Sequence, residues 1–329
     1  MAARSRVLTV VALAAAAAVA GTVGVTLLQT RGESTKTAPS SAAVTKPRAG
    51  APPLVFDFGV RSDPEARALA QAATLYAKGH RAEAGRIFAR YSSLEAKIGA
   101  AFAAWPKGGL DTLKQLVARH PQSGLAELHL GLAYYWSGRS ADAVSAFRRT
   151  VKVEPDSPAA VSAEDILHGS SPHGLPFIVT GLSPPAAVAH LPAAQELAAL
   201  ARAATRPDAN AKLLYGVALW NLRRPLSGER QFVAAAALAP HDPVVQTAAA
   251  VGAFSKDHPV AAFSKLGPLT GVFPRAAVVR FHLGVLLLWT GEFAKARTQL
   301  RLALAYGPRS VYASQARKVL SVLKSTGTK

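Results

Sequence analysis

Apolar residues in this chain fall at helical spacing, and almost no long stretch alternates apolar with polar, so the pattern predicts helices throughout the body and no sheet. Within 124–157, Leu130, Gly131, Tyr134, Gly138, Ala143, Phe147 and Pro155 are spaced as two short antiparallel helices around a tight turn. Small residues stand where two helix backbones come closest, bulky ones fill the space beside them, and Gly138 supplies the turn. Pro ends the second helix because it cannot continue the hydrogen-bond ladder. The same set returns at a fixed interval. Gly216, Ala250 and Gly284 lie 34 residues apart, and so do Pro240, Pro274 and Pro308. Gly131 with Pro155, and Pro121 one period earlier, carry the pattern toward the N-terminus. A period of this size marks an array of repeated helix pairs, an architecture that binds partners more often than it performs chemistry.

On these positions the chain resembles the tetratricopeptide repeat family, most clearly over 124–157 and 277–310, well over 209–242, and more weakly over 243–276 and 65–98. Leu94 to Pro121 reads as a shortened unit, and Gly228 stands where the family prefers Ala. The order of the segments DPEARAL (63–69), AEDILH (163–168) and RFHLGVLLLWTGE (280–292) also resembles uncharacterised bacterial membrane-anchored repeat proteins, a group with no established activity to carry over. The resemblance implies an all-α, tetratricopeptide-like solenoid of helical hairpins over 54–329. It also implies that the first helix of each pair lines a concave groove. The matching positions are Tyr76, Leu128, Leu132, Tyr135, Trp136, Leu213, Trp220, Phe254, Phe281, Leu288 and Trp289. Family members that grip a terminal carboxylate place Lys, Arg and Asn there. Here only Asn210 and Asn221 qualify, so an apolar peptide or helix suits the groove better than an acidic tail. The competing account is that these residues are buried against neighbouring helices or the chain's own insert.

The N-terminus has a different pattern. Arg4 and Arg6 precede an uncharged run from Val7 to Leu28, long enough to cross a bilayer as one helix. Its continuation through Val25, Leu27 and Leu28 favours a retained single-pass anchor over 1–28, with the N-terminus cytoplasmic and the body outside. The alternative is a signal segment cleaved after Ala18-Val19-Ala20, which would release the body as a secreted protein. Residues 29–53, rich in Ser, Thr, Ala, Pro and Lys, read as a flexible linker. Leu54 to Val60, LVFDFGV, is either an extended piece packed on the first helix pair or an exposed docking strand.

A second interruption falls inside the body, where ILHGSSPHGLPFIVTGLSPP predicts an inserted loop at about 168–191. Phe177, Ile178 and Val179 form its apolar centre. They either pack onto the array as a plug or serve as a lid or partner contact.

Composition narrows the chemistry. The chain has no Cys, which removes disulfides, thiol catalysis and zinc-thiolate sites together. There is no phosphate-binding Gly-Lys loop, nucleophile elbow or His-Glu zinc helix, so no catalytic, cofactor-binding or metal residue is nominated and an enzyme is not expected. His168 and His173 flank a Gly-Ser loop, but two lone ligands five apart do not make a metal site. Glu164 and Asp165 are adjacent, so on a helix they point apart and form no carboxylate pair. Charge adds one partner class. The net charge is +19, of which residues 1–50 supply +5 and the remainder +14, with clusters at Arg148-Arg149, Arg223-Arg224 and Arg297 with Arg301. Such a surface suits an anionic polymer or lipid headgroups; the dispersal of the cations argues against nucleic acid. The expected partner is an envelope protein or peptide.

Overall fold

A computed structural model describes residues 46–325; the expected anchor over 1–28 and most of the 29–53 linker lie outside them. Among the described residues every regular element is an α-helix, and none is long and apolar enough to cross a membrane. The chain divides into two compact units that meet in sequence between His173 and Gly174.

The first unit contains α1 (Pro64–Ala77), α2 (Arg81–Phe88), α3 (Leu94–Ala103), α4 (Gly109–Arg119), α5 (Gly124–Trp136), α6 (Ser140–Val153) and α7 (Pro158–Leu167). The second contains a short α8 (Ala186–Ala189), α9 (Ala193–Ala203), α10 (Ala209–Asn221), α11 (Pro225–Leu238), α12 (Pro243–Gly252), α13 (Val260–Val272), α14 (Ala277–Trp289), α15 (Phe293–Tyr306) and α16 (Val311–Ser325). Each unit is a stack of helical hairpins in which consecutive helices pack on one another, as the sequence period predicts.

Local chemistry fixes where the helices begin. Asp63, Ser93, Ser123, Ser157, Asp208 and Asp242 each accept a backbone N–H of the first turn through a side-chain oxygen, which satisfies one, or at Asp208 two, of the donors that have no helical partner. Pro64, Pro158, Pro225 and Pro243 occupy first-turn positions, where the missing N–H is no loss.

In the α5–α6 and α10–α11 hairpins the two helices meet through a glycine. A Cβ on Gly131 would lie 2.5 Å from the Phe147 ring, and one on Gly216 would lie 2.6 Å from the Phe232 ring. Only a bare Cα lets these fully buried rings cross the partner helix. The departure at Gly228 follows the same logic. A Cβ there would press to 3.2 Å on the Gly216 carbonyl and 3.3 Å on the Trp220 ring. The helix Pro225–Leu238 runs through this position without a break. The hairpin α5–α6 gains a polar clasp as well. Arg149 donates from Nε and Nη2 to the two oxygens of Glu127 at 3.0 and 3.1 Å, and Glu154 accepts the Gly124 N–H at 2.8 Å.

Candidate functional site

The first-helix positions nominated from the sequence lie mostly inside the protein. Tyr76, Leu128, Leu132, Tyr135, Leu213, Trp220, Phe254 and Phe281 are buried, and Trp136, Leu288 and Trp289 are half-buried. In each unit an extended stretch of the chain itself covers them.

In the first unit the covering segment is 48–58. Leu54, Val55, Phe56 and Phe58 pack on the core that contains Tyr76, Leu128, Leu132 and Tyr135. Hydrogen bonds from helix side chains then fix the segment's backbone. The Tyr76 hydroxyl donates to the Pro52 carbonyl at 2.6 Å, and the Val55 N–H donates to Nε2 of His129 at 3.2 Å. Upstream, the Arg48 N–H donates to the Trp136 carbonyl at 2.9 Å. Its guanidinium donates to the Tyr135 hydroxyl and lies 4.1 Å from that ring's centre.

The second unit repeats the arrangement with 175–180. Leu175 and Ile178 join the core around Leu213, Trp220 and Phe254, while Phe177 and Val179 pack on the cluster around Phe281. The Trp220 indole N–H donates to the Pro176 carbonyl at 2.7 Å, the Val179 N–H donates to Nε2 of His282 at 3.0 Å, and the Tyr312 hydroxyl donates to the Thr180 carbonyl at 2.9 Å. Phe177 stands against Phe281 and Trp289, with ring centres 5.7 and 5.9 Å away. The Trp289 indole N–H is enclosed and has no acceptor among the described protein atoms.

Both histidines can accept from the covering segment because their other ring nitrogen is committed. Nδ1 of His129 lies 2.8 Å from the Leu125 carbonyl, and Nδ1 of His282 lies 2.8 Å from the Val278 carbonyl. A carbonyl only accepts, so Nδ1 carries the proton and Nε2 presents its lone pair. Burial pushes both rings down to about 4, with the backbone hydrogen bond acting in the opposite direction. Burial likewise pushes the Tyr76 and Tyr312 hydroxyls up to about 12, so both remain donors.

Sequence reasoning did not single out His129 and His282, though a signal existed. Each directly precedes the Leu-Gly of its repeat, in LHLG (128–131) and FHLG (281–284). Of the two loop histidines, His168 is half-buried at the C-cap of α7. His173 is exposed, with Nδ1 3.8 Å from Asp165, and no group of three or more metal-binding side chains is assembled among the described residues. Of the basic clusters, Arg149 is engaged by Glu127, and Arg297 donates to the Leu323 carbonyl at 3.0 Å.

A family model for the tetratricopeptide repeat matches residues 125–157, the stretch that carries α5, α6 and His129. These residues form a tetratricopeptide repeat. Solved structures that the chain matches include a tetratricopeptide repeat protein. The yeast Tom70 structure is 13% identical over 84% of this chain and 67% of its own, with a TM-score of 0.34. A tetratricopeptide repeat protein from Parabacteroides merdae is 12% identical over 77% of this chain and 97% of its own, with a TM-score of 0.33. The APC/C hetero-tetramer Cut9–Hcn1 is 17% identical with a TM-score of 0.26; the match covers 76% of this chain but only 54% of that one. At these scores the likenesses carry no functional argument. No curated protein matches by sequence.

Proposed function

We propose that the chain is a non-enzymatic protein–protein interaction scaffold of the cell envelope whose tetratricopeptide-type arrays bind extended apolar segments. The observation that supports this reading is the way each unit packs a segment of its own chain. An extended, aliphatic stretch lies on the first-helix face, and buried side chains of the helices hydrogen-bond to its backbone. Backbone recognition on an apolar floor accepts a class of peptides, which is what an adaptor needs. The envelope assignment rests on the Val7–Leu28 run as an anchor with the body outside the cytoplasm.

A second reading is contact with an anionic polymer or lipid surface, and one region favours it. Arg297, Arg301, Arg317 and Lys324, together with Leu304 and Leu320, line an open groove of about 580 Å³ on α15 and α16. No acidic residue occurs from Phe293 to Ser325.

One experiment separates the two. The full chain in detergent is screened against displayed peptides and against anionic vesicles, at about 0.15 M and about 1 M salt. The scaffold reading predicts enrichment of aliphatic peptides whose binding survives high salt. Salt-sensitive vesicle binding without peptide enrichment would replace it by the second reading. The envelope assignment is tested with Thr205→Cys, an exposed position in a Cys-free chain. Labelling by an impermeant maleimide in intact cells is expected, and labelling only after lysis would overturn it.

A further inference from the structure

The two covering segments are the same device built twice. They read Pro52-Pro53-Leu54-Val55 and Pro176-Phe177-Ile178-Val179, a shared Pro-x-(Leu/Ile)-Val. In both, the Pro carbonyl accepts from the polar tip of an aromatic ring and the Val N–H three residues on donates to a histidine.

The receiving side chains also match in repeat register. Left-handed residues stand in the turns that follow α1, α5, α10 and α14: Gly79, Gly138, Arg223 with φ 55°, and Gly291. Tyr76 and Trp220 each stand three residues before such a residue, and His129 and His282 each stand nine before one. In both units the aromatic donor and the histidine lie on first helices separated by one intervening first helix, α3 in one unit and α12 in the other. The Phe102 ring of α3 has its centre 5.5 Å from that of the His129 ring, whereas α12 contributes Val245 and Val251 to the core that holds Ile178. A common backbone grip with different apolar floors is the arrangement of a receptor for a short linear motif.

The geometry points to each unit being a receptor for an extended Pro-x-(Leu/Ile)-Val segment supplied by a partner protein, with 52–55 and 176–179 as resident occupants that the partner displaces. This rests on the scaffold reading above and adds the motif and the contacts that read it. The carbonyl of the Pro and the N–H of the Val are read directly, and the (Leu/Ile) side chain fills the floor. The resident segments are suited to displacement because neither belongs to a helix or strand, and among the described residues the helices hold the backbone of 52–55 and of 176–180 through side chains alone. A tethered occupant lowers the apparent affinity of an external one by the fraction of time the site is free.

The test uses the full chain and a labelled peptide of residues 50–61. Val55→Pro removes the N–H that His129 receives while keeping the segment extended, and Leu54→Ser, which keeps that N–H but loses the apolar anchor, serves if Val55→Pro fails to fold. Peptide binding is expected to be about tenfold tighter in either variant than in the unaltered chain. It should be lost when His129→Phe is added, blocked by N-methylation of the peptide's Val, and competed by an unlabelled peptide of residues 174–183. Equal binding of a scrambled peptide would overturn the motif and leave the scaffold reading standing. No binding of these peptides or of any unrelated aliphatic peptide would overturn both. Concentration-dependent dimerisation of Val55→Pro without peptide would overturn the partner assignment in favour of a second copy of the chain.

Discussion

The Val179 N–H donates to Nε2 of His282, a residue 103 positions further along the chain, at 3.0 Å. The bond works only while the imidazole is neutral, because protonation turns Nε2 from acceptor into donor. His129 and Val55 stand in the same relation in the other unit. Grip on the covering segments and stability of the fold are therefore linked through two buried rings.

That linkage sets a pH dependence. Both rings hold at about 4 in the fold, against 6.5 for an ordinary histidine. The unfolded chain therefore takes up its protons first. Stability from these rings is complete above pH 6.5, falls as pH drops from 6.5 to about 4, and levels off below that. Each ring contributes about 3 kcal/mol across the window. The aromatic neighbours, Phe56 and Phe102 at His129 and Phe281 and Tyr312 at His282, carry no charge in this range. Denaturant unfolding measured across the window should show the loss, and His129→Leu with His282→Leu should flatten it. An unchanged slope in that variant would assign the effect to other groups.

The Trp220 indole and the Tyr76 hydroxyl hold the covering segments without belonging to them. Tyr76→Phe deletes only the hydroxyl, which leaves the Pro52 carbonyl without its donor, at a cost of about 1 kcal/mol. The expected signature is local. Amide exchange of Leu54 to Phe58 speeds up, while α5 and α6 keep their protection. Equal acceleration across both helices would mean that the segment and the array open as one unit.

The helices and their hairpin order were legible because they repeat. Gly131 and Phe147, or Gly216 and Phe232, are an interlocking pair wherever two helices must cross closely, and the period exposes them. The first-helix face was legible for the same reason, since Trp220, Phe254 and Leu288 recur at the 34-residue period. That residues 54–60 and 177–179 pack on the array was one of the two readings open for each, and the structure selects it; the contacts that hold them were not legible. Residues 52–55 and 176–179 have no helical period, and their histidine partners lie 74 and 103 residues away, so no local pattern joins them. His129 and His282 were hidden among nine histidines, because their signal is position within the repeat and not spacing from one another.

Glu127 and Arg149 differ in exposure, with side chains 5% and 49% accessible, and this makes their substitutions unequal. Arg149→Met strands a buried carboxylate and should cost about 3 kcal/mol, whereas Glu127→Gln leaves a guanidinium that water still reaches and should cost about 1 kcal/mol. The carboxylate's hydrogen bond holds the Arg149 pKa above its ordinary value, so the guanidinium stays charged throughout. Paired denaturation curves of the two variants test the order. A larger loss for Glu127→Gln would mean that packing around the side chain, and not charge, dominates the clasp.

The hairpin crossing gives the sharpest steric prediction. Gly131→Ala adds a single methyl group, yet it lands 2.5 Å from the Phe147 ring, which is fully buried and has no free space to enter. Overpacking of this kind should cost about 1–3 kcal/mol, more than the gain of up to about 1 kcal/mol that Ala brings to a helix interior. If the clash is the cause, Phe147→Leu in the same chain frees volume at that contact. The double variant should then be less destabilised than the two single losses added together. A double-mutant cycle in denaturant measures the coupling. Simple additivity would place the cost of Gly131→Ala in the α5 backbone and remove Phe147 from the account.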